Sequence, residues 1–333
     1  MKKICLLGLL LLFICAFTAC GKSDKIKIKV AEVAHSVFYA PQYVALEKGF
    51  FASEGLDVTL INANGADKVM AALLSKDVQI GLMGAEASIY VYAEGQENYA
   101  INFAQLTKKD GSFIVAREKI DDFDFTMMKG KAILGGRKGG MPEMTLEYVL
   151  KKAGLDVGQD DASKDVNVRT DVQFAALSGA FVSGEADYVS LFEPNATALE
   201  KEAKGFVVAS LGEASGEVPY TCYSSLKEYI MENKDVITKF TRAIQKALNW
   251  VKNATASEIA KTIHPYFQDT SLSDLTIVMQ RYIDIDSWSD DGYLSLDSFN
   301  RLLDIMRMAN ELPDVVDYDK IVDNSFVRAK SNE

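Results

Sequence analysis

Predicted strands and helices alternate near the start of the chain, and this alternation most narrows the folds that the chain can adopt. Residues 26–33 place apolar and polar side chains in turn, which is typical of a half-buried strand. Because the links between elements are short, the pattern predicts a parallel sheet with flanking helices. The predicted strands lie at 26–33, 56–61 and 78–82, and the predicted helices at 41–48, 68–75 and 85–92.

A second series of the same kind follows in the middle of the chain. It begins with a short apolar strand that leads into a glycine-rich stretch. From about Leu226 onward the pattern is mostly helical, with amphipathic stretches at 234–252 and 297–309. The sequence therefore predicts two α/β units followed by a helical tail. The predicted strands of the second unit lie at 132–134, 165–168 and 188–192, and its predicted helices at 142–153 and 172–178.

The N-terminal segment has the layout of a secretory signal peptide. Two lysines precede the apolar residues 4–17, and small residues lead to Cys20. The sequence around Cys20 also resembles a bacterial lipobox, in which this cysteine becomes the acylated N-terminus. We expect removal of residues 1–19 and a lipidated linker at 20–25, which holds the protein at the periplasmic face or cell surface. An uncleaved anchor and simple secretion are the alternatives.

The composition is that of a globular protein and excludes several classes. Hydrophobic residues make up 48% of the 333 residues and charged residues 25%, which excludes a disordered or collagen-like chain. A net charge of -11 repels phosphate backbones, so nucleic acid is not expected as a partner. After the N-terminal run, no stretch approaches the roughly 20 apolar residues of a spanning helix. Processing would leave only Cys222, so we expect no intramolecular disulfide.

Several segments in a fixed order resemble one protein family. Residues 41–51 and 54–58, which read PQYVALEKGFF and EGLDV, are the most specific. The set resembles the periplasmic solute-binding proteins of ABC importers, in the SsuA/Thi5-like branch for nitrate, sulfonates, taurine and thiamine precursors. Further matching segments are 72–81, 129–131, 150–155, 176–177, 184–187 and 193–194.

The resemblance implies a two-lobe α/β fold of the type II periplasmic binding proteins, with the ligand in a cleft between the lobes. Lobe I would comprise residues 26–116, lobe II residues 117–220, and residues 221–333 would return to lobe I with C-terminal helices. It implies an extracytoplasmic protein that is not an enzyme, needs no cofactor and delivers a small solute to an ABC permease and its ATPase. Physical reasoning agrees, since open α/β sheets bind ligands beyond the carboxyl ends of their strands.

Candidate ligand-binding residues follow the ends of the predicted strands, where the family places its ligand contacts. The family's ligand contacts are transferred to residues of this chain by position only. They are His35, Phe38 and Tyr39 after the first strand, Gly84, Ala85 and Glu86 after the third, Gly136, Gly139, Gly140 and Met141 in the glycine-rich stretch, Phe192 and Glu193 after a later strand, and Tyr220 near the crossover.

The glycine-rich stretch 135–140 is not a nucleotide-binding motif. It lacks the lysine and hydroxyl of a P-loop and the spacing of a dinucleotide fingerprint. Backbone N–H groups beside a helix N-terminus can hold an anion or a polar ligand atom. The alternative is a tight turn that simply needs glycine.

Glu193 and four aromatic residues indicate the class of ligand. A carboxylate accepts hydrogen bonds from an amino group and a ring N–H, and it repels a sulfonate or nitrate. Aromatic side chains can stack on a planar ring. The pattern therefore favours a neutral or cationic heterocycle, such as a thiamine pyrimidine precursor. The alternative is that Glu193 pairs with a lysine or arginine and the aromatic residues are core. The aromatic residues are Phe38, Tyr39, Phe192 and Tyr220.

Other chemistries have less support. His35 and His264 are the only histidines, and Cys222 is isolated, so a structural zinc site is not expected. The acidic residues 284–297 lack carboxylates at the required positions of a calcium loop. A Thi5-like pyrimidine synthase would need a cysteine cluster that this chain lacks. An aliphatic sulfonate, taurine or nitrate binding protein and a solute sensor remain alternatives.

Overall fold

The computed structural model describes residues 25–312 and 316–327, which form two β-sheets with helices packed on them. The predicted signal peptide and Cys20 lie outside the described residues. Two α/β units and a helical tail are present, so the predicted fold class is confirmed.

The first sheet has the strand order β2-β1-β3-β11-β4. β1 pairs in parallel with β2 and β3, whereas β11 pairs antiparallel with β3 and β4. Its strands are β1 (Ile26–Glu32), β2 (Leu56–Asn62), β3 (Ile80–Met83), β4 (Ala100–Thr107) and β11 (Thr221–Leu226), and its helices are α1 (Ala40–Glu47), α2 (Phe50–Ser53), α3 (Ala66–Leu74) and α4 (Glu86–Ala93).

The second sheet has the order β10-β5-β9-β6-β8-β7. The helix predicted at 172–178 is wrong in its bounds, because a short 3-10 turn at Phe174–Ala176 precedes the α-helix there. The strands are β5 (Ser112–Ala116), β6 (Lys131–Leu134), β7 (Val157–Gln159), β8 (Val166–Arg169), β9 (Tyr188–Phe192) and β10 (Phe206–Ser210), and the helices are α5 (Met141–Lys152), α6 (Leu177–Ser183), α7 (Asn195–Lys201) and α8 (Leu211–Ser215).

Two segments cross between the sheets. Residues 108–111 lead from β4 to β5, and residues 211–220 lead from β10 back to β11. The predicted end of lobe I at residue 116 is therefore one strand too late. β5 pairs with β9 along its whole length and with β10 from Phe113 to Ala116, all within the second sheet.

The tail is helical, and its longest helix packs on the first sheet. Along α10, Ile237, Ile244 and Leu248 fall on one buried face at helical spacing. The ring of Phe240 on the same helix lies 4.9 Å from that of Phe51 and 4.9 Å from that of Tyr223. The tail contains α9 (Lys227–Glu232), α10 (Lys234–Asn253), α11 (Ala256–Ile263), α12 (Leu272–Asp284), α13 (Leu296–Met308) and α14 (Tyr318–Ile321).

The tail contacts both lobes. α11 packs against α1 of the first lobe, whereas α13 packs against α5 of the second. The Lys151 ammonium on α5 donates to the Met308 carbonyl at the end of α13, at 2.6 Å. The C-terminal helices therefore connect the two lobes beside the crossing segments.

Candidate functional site

Phe38 lies at the centre of an aromatic cluster that draws on both lobes. Its ring lies 5.7 Å from Phe192, at the end of β9, and 5.9 Å from Tyr220, in the second crossing. The ring of Tyr39 also lies 5.9 Å from that of Phe38. At Gly111 in the first crossing a Cβ atom would come within 2.5 Å of the Phe38 ring, so this close approach requires glycine. The structure thus brings together the four aromatic residues that the sequence selected.

Glu86 is buried at the start of α4, beside Gly84 and the buried Ala85. Its carboxyl group folds back over Gly84, where a Cβ atom would collide with it. The Oε2 atom has no hydrogen-bond partner. Burial raises the pKa of Glu86 to about 7, and the positive charge of Arg137 offsets part of this rise. Glu86 is therefore a buried acid with one oxygen atom that has no hydrogen-bond partner.

Asp110 is a second buried acid, and the sequence analysis did not select it. It lies in the first crossing, between β4 and β5. Its Oδ1 accepts hydrogen bonds from the backbone N–H of Ser112 at 2.7 Å and from the Ser112 hydroxyl at 2.6 Å. Burial raises the pKa of Asp110 to about 6. Hydrogen bonds from Ser112, Tyr220 and Thr145 to this side chain oppose the rise, so Asp110 has protein partners in the crossing.

Glu193 is engaged by protein partners on both carboxylate oxygens. Oε1 accepts from the Arg281 guanidinium at 2.5 Å and from the Thr197 hydroxyl at 2.9 Å, and Oε2 accepts from the Thr197 backbone N–H at 2.9 Å. This is the arrangement of the alternative hypothesis, in which Glu193 pairs with a basic residue. Both carboxylate oxygens of Glu193 are therefore occupied by protein donors.

His35 also has protein partners on both ring nitrogens. Its Nε2 donates to the carbonyl oxygen of Tyr266 at 2.9 Å, and its Nδ1 lies 2.9 Å from the Tyr43 hydroxyl and 3.3 Å from Glu32. The ring stacks on Phe267 with 4.6 Å between centroids. Burial raises the pKa of Glu32, and its bonds to Tyr43 and His35 oppose that rise. His35 therefore takes part in a network that joins the first lobe to the tail.

The glycine-rich stretch connects the two lobes. An acidic side chain occupies the position beside its backbone N–H groups at which a bound anion was expected. The Tyr90 hydroxyl of α4 donates to the Gly139 carbonyl at 3.3 Å. The Gly139 N–H donates in turn to Glu143 Oε2 at 3.0 Å, within the first turn of α5. Burial and the neighbouring Glu147 raise the pKa of Glu143 to about 8. Gly136 and Gly139 have positive φ angles of 88° and 69°. Gly140 immediately precedes α5, and the first residue of that helix, Met141, is buried.

The described residues offer few other chemistries. Within residues 25–312 and 316–327, no group of three or more histidine, cysteine or acidic side chains could hold a metal ion. The helices in these ranges include none that is long and apolar enough to span a bilayer.

Known proteins match both the sequence and the fold. The model of the NMT1/THI5-like family matches residues 37–256. The chain belongs to this family. This NMT1/THI5-like protein is 44% identical over 330 residues to the Bacillus subtilis (strain 168) protein named "Putative binding protein YtlA". The alignment covers 99% of this chain and 97% of that protein.

Two further matches are more distant. The NMT1/THI5-like chain is 24% identical over 225 residues to 4-amino-5-hydroxymethyl-2-methylpyrimidine phosphate synthase of Aspergillus parasiticus, covering 64% of this chain and 63% of the enzyme. The alkanesulfonate-binding protein SsuA of Xanthomonas axonopodis pv. citri, solved bound to MOPS, has a TM-score of 0.70 at 16% identity and covers 90% of this chain and 99% of that one. This likeness confirms the predicted binding-protein fold.

Proposed function

We propose that this NMT1/THI5-like protein is the solute-binding component of an ABC importer, and that it captures a nitrogen heterocycle such as a thiamine pyrimidine precursor. The relative from Bacillus subtilis is named as a binding protein, and the fold is shared with SsuA. A solute held between the lobes would contact the aromatic cluster, and hinge closure around it would present the closed form to the permease and its ATPase. Binding, not catalysis, is the function that these features support.

One observation carries the choice of solute class: the buried carboxyl group of Glu86, at the start of α4, has an oxygen atom without a partner. A hydrogen-bond donor on an amino-substituted ring would satisfy this oxygen, and the rings of Phe38 and Phe192 offer flat apolar contacts. An anion about 4 Å from one ionised carboxylate would be repelled by about 4 kcal/mol at an effective dielectric constant of 20. Aliphatic sulfonates, taurine and nitrate are therefore the second choice, supported by the SsuA fold.

An enzymatic role has less support. The Aspergillus parasiticus relative is a pyrimidine phosphate synthase. The Thi5-like synthases use a cysteine-rich motif, whereas Cys222 is the only cysteine of this chain after residue 20. Cys222 is buried, and burial raises the pKa of its thiol well above the ordinary value. A buried neutral thiol is a poor metal ligand and nucleophile.

The ligand class can be tested on the chain from residue 21 onward. Native mass spectrometry identifies any solute that copurifies, and thermal shift assays then compare 4-amino-5-hydroxymethyl-2-methylpyrimidine with taurine and nitrate. We expect the pyrimidine to raise the melting temperature by several degrees, since a ligand at 100 times its Kd stabilises by about 2.7 kcal/mol. A shift with taurine or nitrate and none with the pyrimidine would reject the heterocycle.

We also propose that the protein is exported and anchored by lipid on Cys20. The variant Cys20→Ser removes the thiol that would carry the acyl chain, so we expect the protein to move from the membrane fraction to the soluble extracytoplasmic fraction. Fractionation followed by immunoblotting measures this, with Cys222→Ser as the matched control that should stay on the membrane. Retention of Cys20→Ser on the membrane would indicate an uncleaved anchor.

A further inference from the structure

We propose that residues 285–292, the tail loop that follows α12, are a third segment of the hinge between the lobes, and that Lys108 and Trp288 couple this loop to the first crossing and to the aromatic cluster. The two crossings connect the lobes along the chain, whereas the tail loop contacts them from the side. Movement of this hinge does not depend on which solute the protein captures.

The backbone of the tail loop runs beside the end of β4 and the start of the first crossing. Thr107 and Trp288 form an antiparallel bridge. The N–H of Lys108 donates to the Ser287 carbonyl at 2.8 Å, and the Lys108 carbonyl accepts from the N–H of Val218, in the second crossing, at 2.9 Å. The first crossing is therefore hydrogen-bonded on one side to the tail loop and on the other to the second crossing.

The Lys108 side chain is surrounded by acids from both of these neighbours. Lys108 is 8% exposed, and its ammonium lies 2.8 Å from Asp286 and 3.1 Å from Asp290, both in the tail loop. Glu217 of the second crossing lies 3.9 Å from the same ammonium. A buried cation is stable only while its acids stay close to it. Because a bend in the first crossing moves the ammonium relative to these acids, movement of the lobes should weaken the ion pairs.

The tail also reaches the aromatic cluster between the lobes. Trp288 is buried and donates its indole N–H to the Phe38 carbonyl oxygen at 2.8 Å. The ring of Tyr282, on α12, lies 5.0 Å from that of Phe38 and 6.1 Å from that of Trp288. The Tyr282 hydroxyl oxygen accepts from the Glu193 N–H at 3.2 Å. The tail thus contacts the first lobe at Phe38 and the second lobe at Glu193, so it must adjust when one lobe moves past the other.

A purely structural role for the tail loop makes a different prediction. If the loop only packs on the first lobe, loss of an ion pair lowers the melting temperature and leaves the distance between the lobes unchanged. Contacts that depend on the relative position of the lobes instead change the ratio of open to closed forms. The lobes are closed in the structure, because the rings of Phe38 and Phe192 lie 5.7 Å apart. Weakening contacts made in this arrangement should therefore favour the open form.

The test is double electron–electron resonance on the solute-free chain from residue 21 onward. Spin labels are attached through Ala71→Cys in the first lobe and Ala162→Cys in the second, both at exposed positions, and Cys222→Ser removes the only native cysteine of that chain. We expect Lys108→Met to raise the ratio of the longer to the shorter label distance about tenfold, as for about 1.4 kcal/mol lost from the closed form alone. Trp288→Phe keeps an aromatic ring without the N–H donor and should raise the ratio about threefold.

The matched control is Lys246→Met. Lys246 on α10 pairs with Glu54 of the first lobe at 2.6 Å, so this variant should lower the melting temperature and leave the label distances unchanged. Unchanged distances in Lys108→Met, or an equal shift in Lys246→Met, would overturn the third hinge segment. Either result would leave the proposed function standing, because no solute takes part in the measurement.

A second variant covers the case in which Lys108→Met does not fold. Asp286 and Asp290 have side chains that are 61% and 43% exposed, so replacing both with asparagine removes the ion pairs of Lys108 to the tail loop without emptying a buried site. This double variant should also shift the distribution toward the longer label distance. An unchanged distribution would overturn the proposed coupling between the tail loop and the first crossing.

Discussion

Replacing Arg281 with alanine is expected to lower the free energy of unfolding by about 3 to 5 kcal/mol. The guanidinium bonds Glu193 at 2.5 Å and Glu200 at 2.6 Å, and the Glu193 side chain is 0% exposed. Removing the arginine leaves the charge of Glu193 buried without a cation, which costs far more than losing an exposed pair. The measurement is the urea dependence of unfolding.

A control on a neighbouring helix sharpens this test. Arg307 pairs with Asp304 on α13, but these side chains are 58% and 59% exposed, so Arg307→Ala should cost less than about 1 kcal/mol. Adding Glu193→Gln to Arg281→Ala should restore part of the lost stability, since a neutral amide is cheaper to bury than a carboxylate. Equal losses for Arg281→Ala and Arg307→Ala would contradict our account of Glu193.

The Arg281 network shows what holds the tail to the second lobe. Arg281 lies on α12, whereas Glu193 and Glu200 belong to the second lobe. Lys201 adds an ion pair to Asp274 of α12 at 2.5 Å. The tail therefore forms ion pairs with α7 and packs against α5 and α1.

Local patterns predicted the elements with strong periodicity. The strand predicted at 26–33 is observed at Ile26–Glu32, and the helix predicted at 142–153 is observed at Met141–Lys152. β5 was missed because Ser112–Ala116 is buried on both faces and so shows no alternation. Its partners in the second sheet, β9 and β10, come much later in the chain. Such long-range pairing leaves no trace in a local window.

The candidate site was predictable in its aromatic residues and in Glu86, but the pairing of Glu193 was not. Strand ends located Phe38 and Phe192, because parallel strands bring their carboxyl ends to one edge. The sequence pointed to Glu193, but its partner Arg281 lies 88 residues further along the chain, and only tertiary structure joins them.

Asp110→Asn is expected to stabilise the solute-free protein at neutral pH by about 1 to 3 kcal/mol. Burial raises the pKa of Asp110 from 3.8 to about 6, so the folded protein holds this proton more tightly than the unfolded chain. Such a group contributes stability that is full below pH 3.8 and is lost as the pH rises through about 6. A shift of about two pKa units corresponds to roughly 3 kcal/mol, which is the upper end of the expected gain.

Asparagine carries no charge at any pH, so its advantage should be present at pH 7.5 and vanish near pH 4. Thermal melts at these two pH values measure it. Asp290→Asn is the matched control with the opposite sign: its ion pairs with Lys108 and Lys252 lower the pKa of Asp290 to about 2, so that variant should lose stability at neutral pH. A loss of stability in Asp110→Asn at pH 7.5 would show that the hydrogen bonds to the Asp110 carboxylate outweigh the cost of burying its charge.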